Sequence, residues 1–322
     1  MRRTLTAGGA VTALALMTAC GGGDAADDDG PGSEGELTEI TVGVMSIVDT
    51  AAIWLGVEEG IFEDHGLDVT LEVAQGGAAI APAVVSGDYD FGFSNTVSLF
   101  IAADRDLPLT LPTPGAATTG DTGEDIGAVL TMPESGIETP ADLEGRSVAV
   151  NTLNNIGDVT ISEVVAQDGG DPTDISFVEM GFPDMPAAVA SGEVDAAWIL
   201  EPFSSIAQEQ GAEVVTYNFA ETDENLLIAG YFTDEPFAQQ DPEIVDAFTA
   251  AMTESLEHAQ QNPDEARAIL STYTEIDDEI LERMVMPEFP AEIDRESLQH
   301  LADLAHEHGL IGDELDVAEI IR

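Results

Sequence analysis

From Ile40 onward, short runs rich in β-branched residues alternate with stretches whose apolar residues recur at helical spacing, and no other feature constrains the fold as strongly. Residues 40–45 read as a strand. Residues 50–62 read as a helix, with Ile53, Trp54, Val57 and Ile61 on one face. Strands are expected at 67–73 and 89–93, with helices at 78–85 and 96–103 between and after them. Strands separated by helices of this length point to βαβ units and a mostly parallel sheet.

The rhythm breaks at 107–123, where three prolines and a Thr/Gly-rich stretch suggest a crossover and loop. It resumes with strands at 147–150, 175–178 and 196–200, helices at 156–167, 185–190 and 203–210, and a strand at 213–217. After an apolar run at 226–232 the remainder is nearly all helical, at 242–261, 263–273, 277–286 and 295–308. Two α/β blocks joined by a crossover place a cleft between strand ends, where open α/β sheets bind ligands. The expected division is 38–131 plus 217–322 for a discontinuous lobe 1, and 132–216 for lobe 2.

The N-terminus has its own logic. Arg2 and Arg3 precede a short apolar run at 10–17, and Met17-Thr18-Ala19 lead directly into Cys20, the only cysteine. A run this short cannot span a hydrocarbon core of about 30 Å, so residues 1–19 read as a cleaved signal peptide. Cys20 has no disulfide partner within the chain, and its setting resembles the lipobox of bacterial lipoproteins. That resemblance implies a lipid on Cys20 and a protein held on the outer face of the cytoplasmic membrane. Residues 20–37, rich in Gly and Asp, read as a flexible tether.

Charge excludes whole classes of partner. The 322 residues hold 64 Asp and Glu against 8 Arg and no Lys, a formal net charge of −56. Such a surface repels nucleic acid. The acids are dispersed rather than clustered, which suits a solvated surface in high salt, where screening acts over a few ångströms.

Several blocks then resemble one family. Ile53-Trp54-Leu55-Gly56-Val57-Glu58-Glu59-Gly60-Ile61-Phe62, followed by His65-Gly66-Leu67, is similar to the opening of the nitrate/sulfonate/taurine and pyrimidine-precursor group of solute-binding proteins. Val85-Ser86-Gly87-Asp88-Tyr89-Asp90, Ala141-Asp142-Leu143-Glu144-Gly145 and Ser191-Gly192-Glu193-Val194-Asp195 follow in the same order, as does Glu201-Pro202-Phe203. The resemblance covers about 40–260. It implies an α/β, type II periplasmic-binding-protein fold, with two lobes around a cleft and a helical C-terminal region. It also implies a monomer without catalytic activity or cofactor, which captures a small molecule by hinge closure and delivers it to an ABC permease with its cytoplasmic ATPase. The ligand would be a sulfonate- or nitrate-type oxyanion, or an aminopyrimidine thiamine precursor.

Loops leaving the strands supply the candidate ligand contacts. They are Ser46, Asp49 and Thr50; Gln75, Gly76 and Gly77; Ser94, Asn95 and Thr96; Asn151, Thr152 and Asn155; and Asp184, Trp198 and Glu201. Hydroxyls, amides and glycines at helix starts serve polar ligands, although each position also has a plain capping role. Arginine would be the usual clamp for an anion. Arg105 is expected on a helix end and Arg146 on the far side from the cleft, neither well placed as a clamp, whereas Asp49, Asp184 and Glu201 suit a neutral or amine-bearing ligand.

Two rival readings remain at this level. One is a ligand-sensing lipoprotein for a membrane receptor. The other is a relative of the pyrimidine-precursor synthases, whose cysteine- and histidine-bearing motifs this chain lacks. No nucleophile elbow, P-loop, H-E-x-x-H or G-x-G-x-x-G pattern is present, and the five histidines read as surface groups rather than metal ligands.

Overall fold

The computed structural model describes residues 37–322 apart from Gln75, so the expected signal peptide and Cys20, with nearly all of the tether, lie outside the described residues. Ten strands follow in chain order: β1 (Thr38–Val44), β2 (Leu67–Val73), β3 (Phe91–Asn95), β4 (Leu109–Ala117), β5 (Gly127–Thr131), β6 (Ser147–Val150), β7 (Ser176–Glu179), β8 (Ala196–Leu200), β9 (Glu213–Thr216) and β10 (Leu227–Asp234). β1 runs parallel between β2 and β3; its alternate residues Ile40, Val42 and Val44 are buried on one face, while Glu39 on the other is exposed.

The two sheets share one plan. Their orders are β2-β1-β3-β10-β4 and β7-β6-β8-β5-β9. In each, three parallel strands are followed by one reversed strand that arrives from the other half of the molecule, β10 in the first sheet and β5 in the second. This exchange produces the crossing expected between the α/β blocks, and it makes each sheet mixed.

Two expectations are corrected here. Residues 107–123 are not simply a loop, because Leu109–Ala117 is a buried strand. Pro112 and Pro114 are accommodated because β4 is the end strand of its sheet and its register with β10 is broken by bulges. Its outer edge is covered by the C-terminus, where Leu111 donates to the Ile320 carbonyl at 2.7 Å. The strand at Gly127–Thr131, which the expected division put in lobe 1, pairs with β8 and β9 in the second sheet. The chain therefore crosses near 118–126, earlier than position 131.

One carboxylate ties the crossings together. Asp125 accepts from Thr118 Oγ1 at 2.5 Å, Thr119 N at 2.9 Å, Ile126 N at 2.8 Å and Ala220 N at 3.1 Å. The first three lie on the outgoing crossing, and Ala220 lies on the helix Asn218–Thr222 that precedes the return.

Helices cover the sheets by burying one face. Pro242–Gln261 places Val245, Phe248, Met252, Leu256 and Ala259 inward at intervals of three and four. It packs against Ala51–Glu58, and a Cβ at Gly56 would lie 2.0 Å from Ser255 Oγ, so only glycine permits this approach.

Candidate ligand-binding site

Between the two sheets lies a narrow cavity of about 20 Å³, room for about one water molecule, so a small ligand needs the two sheets further apart than they stand here. The turn after β1 contributes Met45, Ile47 and Asp49, and the end of β3 contributes Phe93 and Asn95. The second half supplies Asn151, Ile156, Phe182, Trp198 and Phe219. The walls are aromatic: Trp198 lies 5.6 Å from Phe182 and 5.5 Å from Phe219, the latter edge-on at 82°.

Asp49 is the one ionisable side chain in this lining. It is 2% exposed, and its Oδ2 has no hydrogen-bond partner. Burial pushes its carboxyl up to about 7; its own backbone N–H opposes the rise, and the Asp125 charge adds to it. A carboxylate held in an apolar enclosure without a counter-ion is costly, which marks functional sites more often than scaffold. Trp198 Nε1 is likewise buried and unpartnered. The cavity thus offers an acceptor in Asp49, a donor in the indole, and flat apolar walls. No arginine lines it.

A hydrogen-bonded bridge joins the two halves beside the cavity. Ser98 Oγ donates to Asn95 Oδ1 at 3.2 Å and accepts from Asn155 Nδ2 at 3.0 Å, linking the two halves. Outside it lies a groove of about 340 Å³ lined by Gly77, Ser98, Arg105, Thr152 and Asn154, among others. Asp158, on the helix Ile156–Gln167, accepts from the backbone N–H of Asn154. Burial pushes its carboxyl up to about 6.

The structure sorts the sequence candidates into distinct places. Asp49, Asn95, Asn151 and Trp198 line the cavity, while Gly77, Thr152 and Asn155 lie at its outer mouth. Thr50 and Thr96 are buried and spend their hydroxyls on backbone carbonyls, Met45 O at 2.8 Å and Leu227 O at 3.1 Å respectively. Ser94 Oγ is buried without a partner, 2.1 Å from where a Cβ at Gly77 would sit. Gly76 precedes the helix Gly77–Ser86, Ser46 is half-buried in the turn after β1, and Gln75 is outside the described residues.

Two acids do not reach the cavity. Asp184 is exposed at the start of the helix Met185–Ser191. Glu201, although 2% exposed, faces a separate polar cavity of about 140 Å³ beside the crossings, with Asp125, Tyr217 and Arg283. It follows β8 in the chain beyond Leu200, which lines the central cavity, and successive strand residues point to opposite faces. Arg105, at the end of the helix Thr96–Asp104 as expected, lines the outer groove. Sequence reasoning missed Phe93 and Phe219, whose apolar character is equally that of core residues. Among the described residues no cluster of three or more potential ligands forms a metal site.

Comparison with known proteins gives concordant results. A family model described as NMT1/THI5 like matches residues 48–266. The formylaminopyrimidine-binding protein of Halalkalibacterium halodurans is 23% identical over 268 residues, covering 81% of this chain and 76% of that protein. The alkanesulfonate-binding protein SsuA from Xanthomonas axonopodis pv. citri superposes with a TM-score of 0.73 at 17% identity, covering 89% of this chain and 99% of that one. The nitrate-binding protein NrtA from Synechocystis superposes with a TM-score of 0.75 at 15% identity, covering 89% and 86%. The two superpositions show the periplasmic-binding-protein fold that the sequence blocks implied.

Proposed function

The chain belongs to the NMT1/THI5-like family, and from that premise we propose that it is the solute-binding protein of an ABC importer, taking a planar, amine-bearing ring such as an aminopyrimidine into the cavity between its sheets. The observation that carries the ligand class is Asp49, a buried carboxylate with a free oxygen, in an aromatic cavity that no arginine lines. An amino or protonated ring nitrogen would supply the missing donor to Asp49, and stacking faces would come from Trp198, Phe182 and Phe219. An oxyanion would meet Asp49 as a like charge, which disfavours the sulfonate and nitrate alternative. Catalysis plays no part in this reading, and the relatives that match are named as binding proteins.

Capture proceeds by hinge motion at the two crossings. With the halves apart the cavity is open to solvent; with them together, the Ser98–Asn155 bond joins them beside it. A lipid on Cys20 and the acidic tether would hold the domain near its permease. Thermal unfolding of the purified protein in high salt, with aminopyrimidines, alkanesulfonates, nitrate and amines in parallel, tests the ligand class. A ligand at a hundred times its Kd adds about 2.7 kcal/mol of stability. A shift with sulfonates and none with aminopyrimidines would overturn the proposal.

A further inference from the structure

Eight arginines are the whole cationic complement of this chain apart from histidine, so where they are spent is informative. Two of them converge on one turn of the C-terminal helical region. Arg267 Nη1 donates to the carbonyls of Leu281 and Met284, both at 2.6 Å, and so pins the end of the helix Asp278–Arg283. Arg283, held by that clamp, leaves the half of the molecule built on the first sheet. Its Nη2 donates to the Ser205 carbonyl at 2.8 Å and pairs with Glu209 Oε1 at 3.1 Å. Both partners are on Phe203–Glu209, the helix that follows β8 of the second sheet. One residue beyond the pinned turn, the Val285 N–H approaches Oε1 of buried Glu201 at 3.4 Å.

Among the described residues, Arg283 is the one arginine whose polar contacts join the two halves. Arg146 bonds within the second half, and Arg322 within the first. The contact borders the polar cavity next to the crossings. Because Arg283 stands on one half and Ser205 and Glu209 on the other, any rotation at the crossings alters both contacts.

We propose that Arg283, positioned by Arg267, is a clasp of the closed state, and that the C-terminal helical region thereby sets how long captured ligand is retained. The proposal rests on the hinge-closing reading above. Arg283 touches no ligand; it is a positioning residue acting on the equilibrium between open and closed forms. The Arg283–Glu209 pair is partly exposed, with side-chain accessibilities of 42% and 44%, so it contributes little alone. The bond to Ser205 adds a charge-assisted hydrogen bond on the same guanidinium. Together they bias closure by about three- to tenfold, enough to change retention without being required for folding.

The test is the distance between nitroxide labels at Val85→Cys and Val178→Cys, one on each half and both exposed. It uses the full chain with Cys20→Ser so that only these two positions react. Without ligand, the wild-type background should show a dominant short distance and a minor long one. Arg283→Ala should raise the long-to-short ratio about three- to tenfold, and the exchange Arg283→Glu with Glu209→Arg should restore part of the closed population. Two populations with a ratio unchanged by Arg283→Ala would overturn the clasp and leave the hinge intact. A single identical distance in every variant, with or without an added aminopyrimidine, would overturn the hinge reading itself. Should Arg283→Ala fail to fold, Glu209→Gln decides: a rise in the long-distance population supports the clasp, and no change refutes it.

Discussion

Asp49→Asn should separate stability from binding, because the wild-type carboxylate is costly to keep in its cavity. Its carboxyl rises from an ordinary 3.8 to about 7 on folding. Between those values the folded protein holds a proton that the unfolded chain has released, so stability falls as the pH rises through that interval. The difference amounts to about 4 kcal/mol once the pH exceeds 7. Asparagine removes the ionisation but leaves an amide in the same apolar enclosure, at a cost of about 1–3 kcal/mol if unpaired. The variant should therefore be no more stable than wild type at pH 5, where Asp49 is protonated, and more stable at pH 8. Each kcal/mol is worth about 2–4 °C in Tm for a chain of 150–250 residues, so a gain of several degrees at pH 8 is within reach of thermal denaturation. Asp158 and Glu201 also carry raised values, and they contribute equally to both proteins. The difference between the two curves is thus the quantity to read. A difference that stays constant from pH 5 to pH 8 would refute the argument that burial of an unpaired Asp49 shapes this site. The same variant should lose the stabilisation by aminopyrimidines.

Three further outcomes are expected. Gly157→Ala would place a Cβ 2.7 Å from the Trp198 ring; it should push the indole out of position and weaken ligand binding at least tenfold (about 1.4 kcal/mol), as ligand titration followed by tryptophan fluorescence would show. At a net charge of −56, the domain should melt at lower temperature when salt is removed, since screening is what limits repulsion among dispersed acids; melting that is insensitive to salt between 0.1 and 2 M would count against adaptation to high salt, these two concentrations being about the range over which the Debye length falls from ~10 Å to a few ångströms. Cys20→Ser should shift the protein from the detergent phase to the aqueous phase on partitioning, if the lipid is attached there.

Much of the fold was legible because secondary structure follows local pattern. The strand Ala196–Leu200 and the helices Ile156–Gln167 and Pro242–Gln261 coincide with their expected ranges. Their hydrophobic periods are written in consecutive residues. β4 was obscured by Pro112 and Pro114, whose usual meaning is overridden only by a position at the end of a sheet. β5 follows a Gly/Thr/Asp-rich stretch and carries only five residues, and its identity as a strand depends on β8 and β9 on either side.

The site divides in the same way. Sequence alone determined that polar residues follow the strands and that acids outnumber cations, and the loops after β1, β3 and β6 do reach the cavity. Sequence did not distinguish Asp49 from Glu201 or Asp184, since all three are acids in loops or turns next to strands or helices. Tertiary structure decided it by desolvation: Asp49 is enclosed by side chains drawn from both sheets, Glu201 is turned toward the crossings and bonded by Ser205, and Asp184 stays in water. The places of Phe93 and Phe219 in the walls and the reach of Arg283 were equally invisible, because burial and long-range pairing depend on which distant segments meet, and no local pattern encodes that meeting.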